Sequence, residues 1–184
     1  MVDSTVGGAD VLGGGAGDDD LRGEGFDLFD GAEGGDDTLA GGDGDDRLYG
    51  EAISLLARAV AGNGRLAGGD GDDLLYGDGN DASGNVVCGN DRLEGGAGND
   101  LLYGDVDASS VFTDLADVQR GDDTFAFARG LGRDTVLDFE NGRDHIDLLG
   151  NAGIDGFADV AANARQRGAN TLIDLGAAAG GPAG

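Results

Sequence analysis

The aspartates offer this chain's richest chemistry. Eight of them sit in one frame, Gly-x-Asp-x followed by leucine or phenylalanine: Asp10, Asp19, Asp37, Asp46, Asp73, Asp91, Asp100 and Asp123. A ninth, Asp27, lies in "GFDLF" (25–29), where the frame slips by one residue. In "GGDGDDRLYG" (41–50) and "GGDGDDLLYG" (68–77) the carboxylates crowd closely enough to repel one another. Crowded carboxylates serve either general acid–base catalysis or the binding of a hard cation, which takes about six to eight oxygens.

Catalysis finds few partners. His145 is the only histidine, which excludes an HExxH zinc centre and a Ser-His-Asp triad of any known arrangement. In "DHIDLLG" (144–150) it reads as a structural residue. Cys88 stands alone, so there is no intrachain disulfide and no thiolate zinc cluster, and it reads as an inert thiol in a turn. The chain is therefore read as a non-enzyme. Cation binding fits better, although no EF-hand loop with its closing glutamate is present.

Composition points the same way. Of 184 residues 40 are glycine, and the 37 acidic residues outweigh 11 basic ones to give a net charge of −26. That charge argues against nucleic acid or an anionic membrane surface as partner. No apolar run is long enough to cross a bilayer, and "MVDSTVGGAD" has neither the basic nor the apolar region of a signal peptide. Without cations, so acidic and aromatic-poor a chain is expected to be disordered.

The elements that position these carboxylates are legible as a repeat. Leu12, Leu21, Leu39, Leu48, Leu66, Leu75, Leu93 and Leu102 are separated by multiples of nine, and in "GNGRL" (62–66) Gly64 takes the aspartate's place. "GGDGDDRLY", "GGDGDDLLY" and "GGAGNDLLY", with "GGAGDDDLR" as a fourth copy, carry Gly-Gly-x-Gly-x-Asp-x-Leu-x. This nonapeptide resembles the calcium-binding repeat of RTX (haemolysin-type) proteins over residues 5–126. Glycine permits positive φ and lets carbonyls turn toward an ion, and the three residues after each aspartate form a short strand with leucine inward. The resemblance implies an all-β fold, a parallel β-roll binding several calcium ions between successive coils. Their ligands would be the framed aspartates and the turn glycines Gly15, Gly17, Gly35, Gly42, Gly44, Gly69, Gly71, Gly89, Gly96, Gly98 and Gly121.

Tyr49, Tyr76 and Tyr103 recur every 27 residues. If the segments near 50–58, 77–85 and 104–117 loop out, 18 residues remain per coil and the tyrosines stack on one outer face. That register puts Asp10, Asp27, Asp46, Asp73 and Asp100 on one edge, and Asp19, Asp37, Asp91 and Asp123 on the other with a gap at Gly64. Asp18, Asp36, Asp45, Asp72 and Asp122 are expected to face solvent.

Residues 127–176 resemble the strand-rich cap of RTX proteases, with Leu131, Val136, Phe139, Ile146 and Leu148 as core and Asp134, Asp138, Asp144 and Asp147 as solvated turn residues. A helix is expected over 156–168, a strand over 170–176 and a disordered tail over 177–184. The leading functional reading is an extracellular calcium-binding module that folds on calcium after export, without an N-terminal signal peptide, through a type I exporter. The alternatives are the truncated C-terminal region of a larger secreted RTX enzyme and a surface adhesion or structural module.

Overall fold

Leucine stacking sets the coil. Leu12 pairs with Leu39, Leu39 with Leu66 and Leu66 with Leu93, so one turn takes 27 residues. The computed structural model describes residues 7–107, 115–128, 132–148, 157–168 and 170–174. Coil one holds β1 (Val11–Ala16), β2 (Asp20–Arg22) and β3 (Gly25–Leu28), and coil two β4 (Thr38–Asp43), β5 (Arg47–Tyr49) and β6 (Ala52–Leu56). Coil three holds β7 (Arg65–Asp70), β8 (Leu74–Tyr76) and β9 (Asp81–Ser83), and coil four opens with β10 (Arg92–Ala97) and β11 (Leu101–Tyr103). After a short 3-10 turn at Leu115–Asp117 come β12 (Thr124–Phe127), β13 (Thr135–Val136) and β14 (His145–Leu148). Strands of successive coils pair in parallel into three sheets, β1-β4-β7-β10-β12-β14, β2-β5-β8-β11-β13 and β3-β6-β9.

The all-β parallel roll is as expected; the coil is not. Segments 50–58 and 77–85 do not loop away, because each carries inward apolar positions of its own. Ala52, Leu55, Ala59, Ala82 and Val86 are buried, and β6 and β9 build a third side. Ala57 and Gly84, which look misplaced in a nine-residue frame, sit at corners with φ of 50° and 73°. In the third excursion Val106 bridges Gly79, and residues 108–114 lie outside the described part.

Each coil therefore has two lobes. Leu21, Leu39, Leu48, Leu66, Leu75, Leu93, Leu102 and Phe125 form the core of the nonapeptide lobe. Leu28, Ala52, Leu55, Ala82, Val86 and Val106 fill the excursion lobe. The tyrosines stack once per coil, with ring centroids 5.1 and 4.8 Å apart, close to the spacing of paired strands. Tyr49 and Tyr76 are only 9% and 5% exposed, so these two rings are packed away rather than set on an open outer face, and Tyr103 is half-buried.

The C-terminal segment also differs from a separate cap. β13 and β14 extend two of the sheets, and the roll runs on to Leu148. Val136 packs on the leucine core, whereas Phe139 and Ile146 are exposed at the end of the roll and Leu131 lies outside the described residues. The expected helix stops early: α1 spans Phe157–Asn163, and β15 (Ala164–Arg167) then turns through Gly168, at φ 66°, to pair antiparallel with β16 (Asn170–Ile173). The tail at 177–184 lies outside the described residues.

Candidate metal centre

One column of carboxylates runs along the glycine turns. The chain leaves β4 through Gly42 and Gly44 at φ 124° and 128°, values that bulkier residues resist, and this brings Asp46 back under the turn. The amide of Asp46 donates to Oδ1 of Asp73 at 2.8 Å, and Asp19 donates to Asp46 and Asp73 to Asp100 at 2.8 and 2.9 Å. Asp100 donates to Asp134 at 3.2 Å. One oxygen of each aspartate thus fastens its coil to the previous one. The other oxygen turns inward: a Cβ at Gly41 would collide with Asp46 Oδ2 and the Gly68 carbonyl, and one at Gly68 with Asp73 Oδ2 and the Gly95 carbonyl. A carboxylate oxygen and a carbonyl from the next coil converge at both of these turns.

A second column lies where the two lobes join. Asp10 donates its amide to Asp37 Oδ1 at 2.7 Å, Gly64 to Asp91 at 2.6 Å, Asp91 to Asp123 at 2.9 Å and Asp123 to Asp144 at 3.1 Å. Here glycine is needed for close approach instead of positive φ: a Cβ at Gly62 or Gly89 would strike the carbonyl of Gly35 or Gly62. The inner oxygens of Asp37 and Asp91 reach across the coil to Gly23 and Gly77, beside the carbonyls of Gly50 and Gly104. At Gly50 only the Gly77 carbonyl and the Leu66 side chain stand there, because Gly64 brings no carboxylate.

A third set of acids clips the neck of the excursion lobe. Glu24, Glu51 and Asp78 each accept the amide 11 residues on, from Gly35, Gly62 and Gly89, and Asp105 accepts that of Gly121. Asp138 continues the set by accepting the amides of Gly104 and Asp105. Ligand atoms of Glu24, Asp37 and Glu51 lie within 4.8 Å of one another, as do those of Asp78, Cys88 and Asp105. Cys88 is buried there rather than in a turn, and burial pushes its thiol up, consistent with an inert group.

Burial dominates the electrostatics. It raises Asp73 to about 6 and Asp100 to about 7, backbone amides opposing the shift and neighbouring carboxylates adding to it. At the lobe junction Asp123 and Glu51 are pushed up to about 8, and Asp78 and Asp91 well above the usual carboxylate range. Asp105 rises only to about 6, with the Arg120 guanidinium 3.4 Å away.

Eight of the nine expected aspartates join a ladder. Asp10 and Asp19 have exchanged edges, since Asp10 stacks on Asp37 and Asp19 on Asp46. Asp27 joins neither: it is exposed on β3, opposite Ser54. "GFDLF" belongs to the excursion lobe and is not a turn of the repeat. Of the expected glycines, Gly15, Gly17, Gly42, Gly44, Gly69, Gly71, Gly96 and Gly98 have positive φ in the turn column, and Gly35, Gly89 and Gly121 are close-approach positions in the second. Asp18, Asp45 and Asp72 are exposed but form an outer ladder of amide–carboxylate bonds. Asp134 and Asp144 continue the two columns and Asp138 the neck set instead of being solvated, while Asp147 pairs with Arg92 at 3.0 Å. Sequence reasoning missed the neck acids, although their signal is plain: an acid follows Gly in "RGE", "YGE" and both "YGD" stretches, 27 residues apart.

The donor set fits a hard cation. Asp19, Asp37, Asp46, Glu51, Asp73, Asp78, Asp91, Asp100 and Asp123 each hold one buried carboxylate oxygen that makes no hydrogen bond. Uncompensated buried charge costs several kcal/mol per group, and carboxylates beside carbonyls are what calcium coordinates. The RTX calcium-binding nonapeptide repeat matches in four copies, residues 7–27, 31–52, 59–82 and 89–109. No curated protein matches the chain. No solved structure matches it either.

Proposed function

The chain is an RTX calcium-binding repeat protein, and on that premise we propose that it is an extracellular module that folds on binding calcium after export as an unfolded chain through a type I exporter. The observation carrying this reading is the set of buried carboxylate oxygens without hydrogen-bond partners. Each ladder aspartate among them divides its labour, Oδ1 holding the amide of the preceding coil and Oδ2 lying beside a glycine turn or the lobe junction. Calcium bound there supplies the positive charge that lets these oxygens stay buried and ionised. A ligand taken only by the folded state, at about 100 times its dissociation constant, adds about 2.7 kcal/mol per site. Several sites outweigh the self-repulsion of a chain with a net charge of −26.

Where calcium is scarce the same carboxylates keep the chain open, which suits passage as a thread and folding outside. No helix among the described residues is long and apolar enough to cross a membrane. The role is binding and structure rather than catalysis, because the inner carboxylates are tied by one oxygen to backbone amides, leaving them little freedom for proton transfer to a substrate. Circular dichroism tests the reading: coil in chelator and β-structure at millimolar calcium are expected. A β-spectrum that chelator leaves unchanged refutes it.

A further inference from the structure

The neck acids lie outside the nonapeptide frame, and one group of them has donor atoms to spare. Glu51 uses one oxygen to accept the amide of Gly62 at 2.7 Å, while its other oxygen has no partner in a residue only 1% exposed. Asp37 is also 1% exposed and also holds a free inner oxygen. These residues and Glu24 bring ligand atoms within 4.8 Å of one another. Glycines make the room: a Cβ at Gly34 would collide with Glu51, and one at Gly23 with Asp37 and the Gly50 carbonyl. Two coils on, Cys88 takes the register position of Gly34, so the all-oxygen set is particular to this end of the neck. Three carboxylates, two of them buried, carry up to three negative charges with no basic side chain in the group.

We propose that Glu24, Asp37 and Glu51, with the Gly50 carbonyl, form a divalent-cation site of a second kind, at the neck between the lobes and separate from the glycine turns. Its cation is hard, calcium in the first instance, since every donor is oxygen. The site rests on the calcium reading of the chain, because Asp37 also belongs to the second column.

Native mass spectrometry of the full chain in calcium at pH 7.5 counts the ions directly. Glu51→Gln keeps the size and the amide acceptor but removes the charge, and is expected to bind one ion fewer than the parent chain. An unchanged ion number in folded Glu51→Gln overturns the site and leaves Glu51 as a protonated clip of the neck. Should Glu51→Gln not fold, Glu24→Gln, at a less buried position, decides by the same count. One ion fewer, or at least tenfold weaker binding of one ion, supports the site, and neither change overturns it. Asp73→Asn, in the turn column, is the control. It also loses an ion if the calcium reading holds, and if it keeps the full number that reading fails independently of the neck site.

Discussion

The turn column and the lobe-junction column use one chemical device in two settings. In both, an aspartate amide donates to the carboxylate of the next coil and leaves the second oxygen inward. The turn column is continuous from Asp19 to Asp134 and lies under backbone that only glycine adopts easily. The junction column is broken at Gly64, lies between two apolar cores and is doubled by the neck acids. Two of its carboxylates, Asp91 and Asp123, are accordingly shifted further, Asp123 to about 8 against about 6 for Asp73. A repeat motif thus fixes the ladder, and depth in the fold fixes how strongly each rung depends on a cation.

The largest expected effect comes from stripping a junction rung. Asp91→Ala removes both the acceptor of the Gly64 amide and an inner oxygen. Losing a cation at about 2.7 kcal/mol and leaving a buried amide unpaired at about 1–3 kcal/mol gives about 4–6 kcal/mol, read from urea unfolding in calcium. Asp73→Asn keeps an acceptor for the Asp46 amide, so its cost is expected to be about 2–3 kcal/mol. Equal losses for the two variants contradict the difference in depth.

Acid should separate the columns next. The folded-state values of Glu51 and Asp123 (about 8), Asp100 (about 7) and Asp73 (about 6) lie above those of the open chain. In the metal-free protein such raised carboxylates favour folding at low pH, and that contribution disappears as pH rises through the folded-state values. Protons compete with cations, so calcium affinity moves the opposite way. Falling pH should weaken the junction sites that hold Asp123 and Glu51 below about pH 8, and the turn sites that hold Asp73 and Asp100 below about pH 6 to 7. Calcium calorimetry from pH 8.5 to 5 should resolve two losses in that order, and one loss affecting all sites together speaks against it.

Repairing the gap is a smaller change. Gly64 lies in the ladder between Asp37 and Asp91, and its φ is not in the left-handed region. A Cβ there meets the movable end of Leu66 at 2.9 Å. Gly64→Asp would offer a carboxylate toward Gly50, and should raise calcium affinity about five- to thirtyfold, or about 1–2 kcal/mol, with no gain in chelator. Smallest of all is Asp27→Asn, which should change the thermal midpoint in calcium by an amount equivalent to less than about 0.5 kcal/mol. A loss comparable to that of Asp73→Asn returns Asp27 to the metal-binding set.

Much of this was legible in the chain because glycine, aspartate and leucine keep a nine-residue register from "GDDTL" (35–39) to "GNDLL" (98–102). The edge assignment failed only in the first coil, where "GFDLF" imitates a repeat while packing as an excursion strand. The third side stayed hidden because its inward residues are mostly alanine and valine, too small to stand out in a leucine pattern. The last coil was missed because its rungs are 34 and 21 residues apart instead of 27, so no period reveals that Asp134 and Asp144 stack on Asp100 and Asp123.

Residue-resolved amide hydrogen exchange, in calcium and in chelator at pH 7.5, reads both columns at once. The amides of Asp46 and Asp73 in the turn column, and of Gly64 and Asp91 at the junction, donate to inner carboxylates. The expected result is strong protection of all four in calcium and exchange at open-chain rates in chelator. Protection that persists in chelator would mean that the buried carboxylates hold the coils together without any cation, and would contradict calcium-dependent folding.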